Sequence, residues 1–169
     1  MAEFIKIPAE QFDHNPFTLI EHEWMLITAE KEGKVNTMTA NWGGLGEIWY
    51  KRAAYIVVRP QRYTKEFLDA ADTFSLTFFD ESYRKTLSYL GEVSGRDEDK
   101  IAKSGLTIAH SGNTPYFEQA RLALICKKVF AQPFEPQCVL DEAVKQRNYA
   151  DNDYHTLYIG FVEEILQKA

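Results

Sequence analysis

The part of the sequence that decides the fold is residues 53–64, which read AAYIVVRPQRYT. The first six of these residues are almost all apolar or aromatic, which predicts a central β-strand covered on both faces. Pro60 ends the strand, because proline has no amide hydrogen to donate. Thr64 suits the N-cap position of a short helix over residues 65–71. The stretch therefore predicts a strand that turns directly into a helix.

The rest of the chain is also rich in strand signals. A polar turn containing Gly33 joins two strand-like stretches and predicts a hairpin. Including that hairpin, the predicted strands are residues 24–29, 35–40, 53–58, 73–79, 122–132 and 156–166. Further helices are predicted at residues 83–93, 97–103 and 139–147, and the glycine-rich residues 41–46 are predicted to break regular structure. Gly105 would stop the helix at residues 97–103.

The order of these elements favours one architecture. No regular β-α-β alternation is present, which argues against a doubly wound sheet. We expect a β-rich mixed α/β fold, an antiparallel barrel with short helices packed outside it. No linker, repeat or low-complexity stretch divides the chain, so residues 1–169 are predicted to form a single domain.

Composition argues against two classes of partner. The 169 residues carry a net charge of −6, whereas nucleic-acid binding requires a basic patch. The densest cationic pair, Lys127 and Lys128, lies inside a predicted strand. No apolar run approaches the roughly 20 residues of a spanning helix, and the first residues lack the apolar core of a signal peptide. We therefore expect a cytoplasmic protein with no nucleic-acid or membrane partner.

Metal-binding and common nucleotide motifs are also missing from the sequence. Cys126 and Cys138 form no C-x-x-C pair, and Cys126 lies in an apolar run that predicts burial. No HExxH motif or carboxylate triad occurs, so no metal site is predicted. The glycine-rich dinucleotide fingerprint, the P-loop and the G-x-S-x-G elbow do not occur. Rossmann, P-loop and α/β-hydrolase functions therefore lack their main support.

The first segment with candidate chemistry is the end of the deciding stretch. Arg59 and Arg62 flank a strand end, and Tyr63 and Thr64 stand at the start of a helix. Unpaired N–H groups at a helix start and planar guanidinium groups both bind phosphate. The alternative is a capped helix with two solvated arginines, and local spacing leaves both interpretations open.

The second segment runs from a strand into the glycine-rich bend. A strand end of this kind can offer backbone N–H groups to the polar edge of a flat ring, with Met38 and Trp42 against its face. Thr37, Thr39 and Asn41 would then reach a ribityl or ribose chain. An ordinary β-bulge explains the same pattern. The candidate residues of this segment are Asn36, Thr37, Met38, Thr39, Ala40, Asn41 and Trp42.

Two further segments carry candidate residues. Ser94, the backbone of Gly95 and Lys100 would bind an anion next to a helix capped by Asp97. A well-capped surface helix is the alternative. His155 opens the last predicted strand, where it would serve a proton or a ring edge, although such a histidine is more often exposed or hydrogen-bonded within the protein.

Taken in this order over residues 24–162, the segments resemble the flavin reductase-like, FMN-binding split-barrel family, including its flavoredoxin-type members. The resemblance implies a Greek-key split β-barrel and a homodimer with FMN near the interface. Residues 37–42 would border the isoalloxazine ring and ribityl chain, and His155 would lie near the flavin as a candidate catalytic residue. The residues implied for the phosphate are Arg59, Arg62, Tyr63, Thr64, Ser94, Gly95 and Lys100.

The resemblance also implies an activity. The protein would be an NAD(P)H-dependent flavin reductase, in which NADH or NADPH delivers hydride to FMN. An FMN-containing electron carrier or flavin sensor would share every binding feature, and a third alternative is an interaction domain that has lost the cofactor. The chain departs from the family pattern at three positions. Ala40 and Asn41 stand where many reductases have serine or cysteine, and Phe161 stands where an acidic residue is common.

Overall fold

The computed structural model describes residues 3–169, which form mostly antiparallel strands and a few short helices. The strands are β1 Phe4–Ile7, β2 Met25–Lys31, β3 Lys34–Ala40, β4 Gly43–Ile48, β5 Lys51–Val58, β6 Thr73–Phe78, β7 Ile108–Ser111, β8 Thr114–Phe117, β9 Leu122–Pro133 and β10 Thr156–Lys168. The helices are α1 Pro16–Glu21, α2 Thr64–Ala70, α3 Arg84–Glu92, α4 Lys100–Ser104 and α5 Glu142–Asn148. No helix within these described residues has the length and apolar character needed to cross a membrane.

One eight-stranded sheet builds the barrel, in the order β3-β2-β6-β9-β10-β5-β4, with β1 also paired to β10. Every pair in this sheet is antiparallel. The two end strands, β3 and β4, are joined only by Asn41 and Trp42. Because so short a link spans only about 10 Å, the two ends of the sheet must meet at this corner. The sheet is thus an open barrel, as the sequence predicts.

Two apolar clusters fill and flank this barrel. The larger contains the fully buried side chains of Ile27, Phe74 and Tyr158, contributed by three different strands of the sheet. The second packs Leu87 and Leu90 of α3 against the outside of the sheet. The leucine spacing that predicted a helix at residues 83–93 therefore corresponds to the buried side of α3. Cys126 is buried as predicted, and burial raises the pKa of its thiol.

Strand β5 and the glycine bend differ from prediction. β5 is not covered on both faces, since the Tyr55 side chain remains 46% exposed. The bend does not interrupt regular structure either, because β4 begins at Gly43. A Cβ on Gly44 would lie 2.3 Å from the Tyr55 ring. The absence of a side chain at Gly44 therefore admits the Tyr55 ring of the neighbouring strand.

Two helix starts also differ from prediction. Thr64 is the first residue of α2, and its buried side chain makes no capping bond. α4 is capped by Asp99, whose Oδ1 accepts a 3.1 Å hydrogen bond from the Ala102 amide, so Asp97 is not the cap. Gly105 ends α4 in the left-handed region at φ 74°, as predicted.

Candidate functional site

A cavity of about 250 Å³ opens at the corner where the two ends of the sheet meet. We call it the corner cavity. Its walls come from the end of β3, the β3–β4 link, the end of β5 and the start of β10. The lining residues are Met38, Thr39, Ala40, Asn41, Trp42, Val57, Arg59, Arg62 and His155. All of them except Val57 are candidates from the sequence, so the fold brings three separate segments to one place.

The β3 wall of the cavity has unpaired backbone groups. Among the residues that the structure describes, β3 is the last strand of the sheet on its side and pairs with β2 alone. Alternate N–H and C=O groups of an edge strand point away from the sheet and remain available to a ligand. Met38, Thr39 and Ala40 lie on this edge, and all three line the corner cavity. The wall can therefore supply hydrogen-bond donors and acceptors without polar side chains.

Two arginines form the opposite side of the cavity, and neither is simply solvated. The Arg59 Nη1 donates a 2.7 Å hydrogen bond to Asp153 Oδ2, and its guanidinium lies 5.5 Å from the centre of the Tyr149 ring. The Arg62 Nη1 donates a 2.9 Å bond to the Gly91 carbonyl. Burial lowers the pKa of Arg62. Each guanidinium keeps further N–H donors for a ligand.

A buried polar contact joins β3 to α2 and to the turn before α4. The Asn36 Nδ2 donates a 2.8 Å hydrogen bond to Thr64 Oγ1, and both side chains are buried. A Cβ on Gly95 would lie 2.2 Å from Asn36 Oδ1, so only glycine fits there. Since the Thr64 hydroxyl accepts from Asn36, its own hydrogen is left for another acceptor.

Lys100 is buried, with 3% of its surface exposed. Its Nζ donates to the carbonyls of Leu90 and Val93, at 2.7 and 2.8 Å, where α3 ends. Those carbonyls have no partner within the helix, so Lys100 caps α3 and has one ammonium hydrogen left. Burial, and then the positive charge of Arg62, lowers the pKa of Lys100 to about 8. Ser94, in the adjoining turn, accepts a 3.2 Å bond from the Arg96 amide.

The threonine hydroxyls of β3 are occupied by protein groups. Thr37 is buried, and its Oγ1 bonds to the Ile27 carbonyl at 3.0 Å and to Thr28 Oγ1 at 2.9 Å. Thr39 Oγ1 donates to the Leu87 carbonyl. Neither hydroxyl is directed to a ligand here, so contacts from Thr37 and Thr39 would come from the backbone.

His155 forms an aromatic wall of the corner cavity together with Trp42. The two rings lie 5.1 Å apart with an interplanar angle of 39°. The His155 Nδ1 is hydrogen-bonded to the Tyr149 hydroxyl at 2.8 Å. Burial, and then the charge of Arg59, lowers the pKa of His155 to about 4, although Asp153 acts in the other direction. The imidazole is therefore neutral at pH 7, which suits ring packing better than proton donation.

Sequence reasoning missed the loop before β10, which supplies Tyr149, Asp153 and Tyr154. The Tyr149 and Tyr154 rings are stacked 4.4 Å apart, and Asp153 also accepts a 2.9 Å bond from Gln61. The sequence signal for this loop was Asp153, two residues before His155. Its partner Arg59 is 94 positions away, so a local pattern does not reveal the pair. Within residues 3–169, no three His, Cys, Asp or Glu side chains form a group able to hold a metal ion.

An open antiparallel barrel with a cavity at the meeting point of its edge strands defines the split-barrel class. The family model described as the flavin reductase like domain matches residues 18–169. The chain belongs to that family, and the resemblance seen in the sequence is confirmed.

Similar solved structures agree on the fold. The FMN-binding domain of a flavin reductases-like enzyme from Shewanella baltica matches with a TM-score of 0.72 and 15% identity, over 99% of this chain and 78% of that chain. A flavoredoxin from Methanosarcina acetivorans has a TM-score of 0.69 and 22% identity, over 99% and 76%. An FMN-binding protein from Thermus thermophilus with bound p-hydroxybenzaldehyde has a TM-score of 0.68 and 21% identity, over 99% and 82%. No curated protein sequence matches significantly.

Proposed function

We propose that this chain binds FMN with its ring in the corner cavity, and that it acts as an NAD(P)H-dependent flavin reductase. The isoalloxazine ring would lie along Met38 to Trp42, and the phosphate would lie against Arg62, Thr64 and Lys100. Family membership and the FMN-binding descriptions of its structural neighbours support the cofactor. One observation of the site carries the proposal, namely the pair of cations formed by the half-buried Arg62 and the buried Lys100.

An anion bound between Arg62 and Lys100 would neutralise their positive charges. The pKa values of Arg62 and Lys100 are both lowered, chiefly by burial, and the charge of Arg62 further lowers that of Lys100. Buried groups shift in this direction when their charge is not neutralised. Carbonyl oxygens bind both side chains without supplying a negative charge. A phosphate would supply that charge, and the Thr64 hydroxyl and the Gly95 backbone would lie beside it.

The ring end of the site has a different chemistry. Trp42 and the neutral His155 offer flat apolar surfaces, and the free edge of β3 offers backbone donors. Flavin held there would accept a hydride from NADH or NADPH, which is the chemistry that the cofactor supplies. The protein needs no nucleophile or general acid for this step. We assign His155 to packing and placement of the reacting ring, with its Nδ1 held by Tyr149.

We also propose that two copies form a homodimer with the corner cavity near the interface. Tyr55, Val57, Leu157, Ile159 and Phe134 line an apolar hollow of about 490 Å³ on the outer face of the sheet, and we call this the apolar face. Trp49, beside it, is 53% exposed. Extended apolar surface of this kind is uncommon on a monomer. Val57 belongs to both this face and the corner cavity.

We propose that residues 1–169 act as one domain in the cytoplasm. The family match over residues 18–169 supports a single unit for that part of the chain.

The test begins with FMN titration, followed by absorbance and flavin fluorescence. Arg62→Ala removes a charged donor and should weaken FMN binding by roughly 1.5–3 kcal/mol, whereas Arg147→Ala, at an exposed position of α5, should leave it unchanged. Stopped-flow mixing of the FMN complex with NADH and with NADPH should bleach the flavin quickly. No bleaching by either would favour an electron carrier, and no FMN binding at micromolar concentration would refute the proposal.

A further inference from the structure

The loop that leads to His155 is fastened to the end of β5. The Arg59 Nη1 donates to both the Oδ2 and the backbone carbonyl of Asp153, at 2.7 and 3.4 Å. The Gln61 side chain donates to the same Oδ2 at 2.9 Å. The Arg59 guanidinium also lies over the Tyr149 ring. Arg59 therefore holds two side chains of this loop beside the corner cavity.

Tyr149 lies on the buried side of the loop. It is 6% exposed, and its ring stacks on that of Tyr154 with the planes 15° apart. Its hydroxyl lies 2.8 Å from the His155 Nδ1 and has no other hydrogen-bond partner within residues 3–169. Burial raises the pKa of Tyr149, so the phenol keeps its hydrogen at neutral pH. The His155 Nδ1 is therefore the acceptor of that hydrogen.

This hydrogen bond fixes where the imidazole of His155 carries its own hydrogen. A neutral imidazole has one N–H group, and its other nitrogen is an acceptor. His155 is neutral at pH 7 because its pKa is lowered to about 4. Since Nδ1 accepts from Tyr149, the hydrogen of the imidazole must be on Nε2.

The Nε2 of His155 is open to the corner cavity. It makes no hydrogen bond to any residue that the structure describes, and among those residues the one fully buried side-chain N or O atom without a partner is Thr77 Oγ1. Nε2 is therefore accessible, and His155 lines the corner cavity. The rings of Trp42 and Phe134 lie 5.1 and 6.3 Å from the imidazole and limit its rotation.

We propose that Tyr149 is a positioning residue, which holds His155 in the Nε2–H tautomer and so gives the corner cavity a hydrogen-bond donor for a carbonyl oxygen of the bound ring. The carbonyl contact rests on the proposed function, because the isoalloxazine ring carries such oxygens at its polar edge. The tautomer of His155 is a property of the protein without flavin, and it can be tested separately.

The tautomer is measured by ¹⁵N NMR of histidine-labelled protein at pH 7 without flavin, and His155→Gln identifies the His155 signals among those of the four histidines. Wild type should have a protonated Nε2 and an unprotonated Nδ1. Tyr149→Phe should lose this preference, whereas Tyr154→Phe, the same change in the stacked ring, should keep it. A protonated Nδ1 in wild type would overturn the proposal without any variant, and so would an unchanged tautomer in Tyr149→Phe.

The carbonyl contact is measured by fluorescence titration with FMN and with riboflavin, which lacks the phosphate. Tyr149→Phe should raise the Kd of both ligands by about three- to tenfold. In a His155→Gln background, where the amide N–H donates without a tautomer to fix, the same change should alter Kd less than about twofold. Equal effects in the two backgrounds would reject the contact. Failure of wild type to bind FMN would refute the proposed function and this contact, while the NMR result still decides the role of Tyr149.

Discussion

The side-chain amide of Asn36 donates a 2.8 Å hydrogen bond to the hydroxyl of Thr64. Asn36 lies on β3 and Thr64 is the first residue of α2, so the bond joins the two halves of the proposed FMN site. Both side chains are buried, and an unpaired polar group at such a position is costly. This contact therefore sets the distance between the ring wall and the phosphate residues before any ligand arrives.

The contact predicts energetic coupling between Asn36 and Thr64. Asn36→Ala and Thr64→Val should each lower the free energy of unfolding by about 1–3 kcal/mol, because each leaves a buried polar partner. The double variant should lose less than the sum, with a coupling energy of at least about 0.5 kcal/mol. Urea unfolding of the four proteins without flavin measures this. Additive losses would show that the bond contributes nothing of its own.

Gly95 is predicted to tolerate no side chain. A Cβ there would lie 2.2 Å from Asn36 Oδ1, so Gly95→Ala must displace Asn36 and should destabilise the protein by about 1–3 kcal/mol. Gly46→Ala is the matched control, since a Cβ at Gly46 meets no atom within 4 Å. It should be neutral or slightly stabilising. Thermal unfolding compares the two, and equal effects would contradict the close approach at Gly95.

FMN binding is predicted to weaken above about pH 8 through Lys100. The pKa of Lys100 is lowered to about 8, and a bound phosphate would raise it because it favours the charged form. Above that pH the free protein must take up a proton to bind, so the Kd should rise by up to about tenfold per pH unit. Lys100→Arg, which stays protonated, should flatten the profile. Kd values at pH 7, 8 and 9 test this, and a flat wild-type profile would exclude Lys100 from the phosphate site.

His155 is predicted to make the protein sensitive to mild acid. Its pKa is lowered from 6.5 to about 4 in the folded state, so the unfolded chain binds a proton more readily. Stability from this group is complete above about pH 6.5 and declines as the pH falls towards 4. Between pH 7 and pH 5 the loss should be about 2 kcal/mol.

His155→Gln isolates this effect from the titration of other groups. The variant should lose less stability over the same pH interval, by about the 2 kcal/mol assigned to the histidine. Urea unfolding at pH 7 and pH 5 gives the difference directly. Equal losses in wild type and variant would mean that His155 titrates normally.

The apolar face is predicted to hold a homodimer together. Ile159→Lys places a charge in this face and should shift the protein to monomers, because burial of an unpaired charge is unfavourable. Leu140→Lys is the control, since Leu140 is 91% exposed and lies outside the face. Analytical ultracentrifugation measures the mass of each protein. A wild-type protein that sediments as a monomer would contradict the dimer.

Local patterns predicted many elements correctly. The hairpin of β2 and β3, the long final strands and the stop at Gly105 follow from alternation, β-propensity and glycine at the helix end. Most candidate site residues also line the corner cavity. The strands, the hairpin and the helix stop depend on residues close together in the chain, so the sequence alone predicts them. The cavity that the candidate residues share is set by the fold.

The errors concern contacts between distant segments. Thr64 was expected to cap a helix, but its hydroxyl oxygen accepts a hydrogen bond from Asn36, 28 positions earlier. Asp153 was overlooked because Arg59 meets it across 94 positions. Gly44 of β4 admits the Tyr55 ring, which the sequence could not place opposite it. Pairing across such distances depends on the path of the whole sheet.

By itself, the sequence determined the antiparallel strands through side-chain periodicity and a barrel through the order of its elements. The ordered motifs gave the resemblance to the family, and that resemblance implied the split barrel. Only the tertiary structure decided that the two ends of the sheet meet at Asn41 and Trp42 and open a cavity there. It also decided the charge states of the site. Burial lowers the pKa of Lys100 to about 8 and that of His155 to about 4, and burial is a property of the folded chain alone.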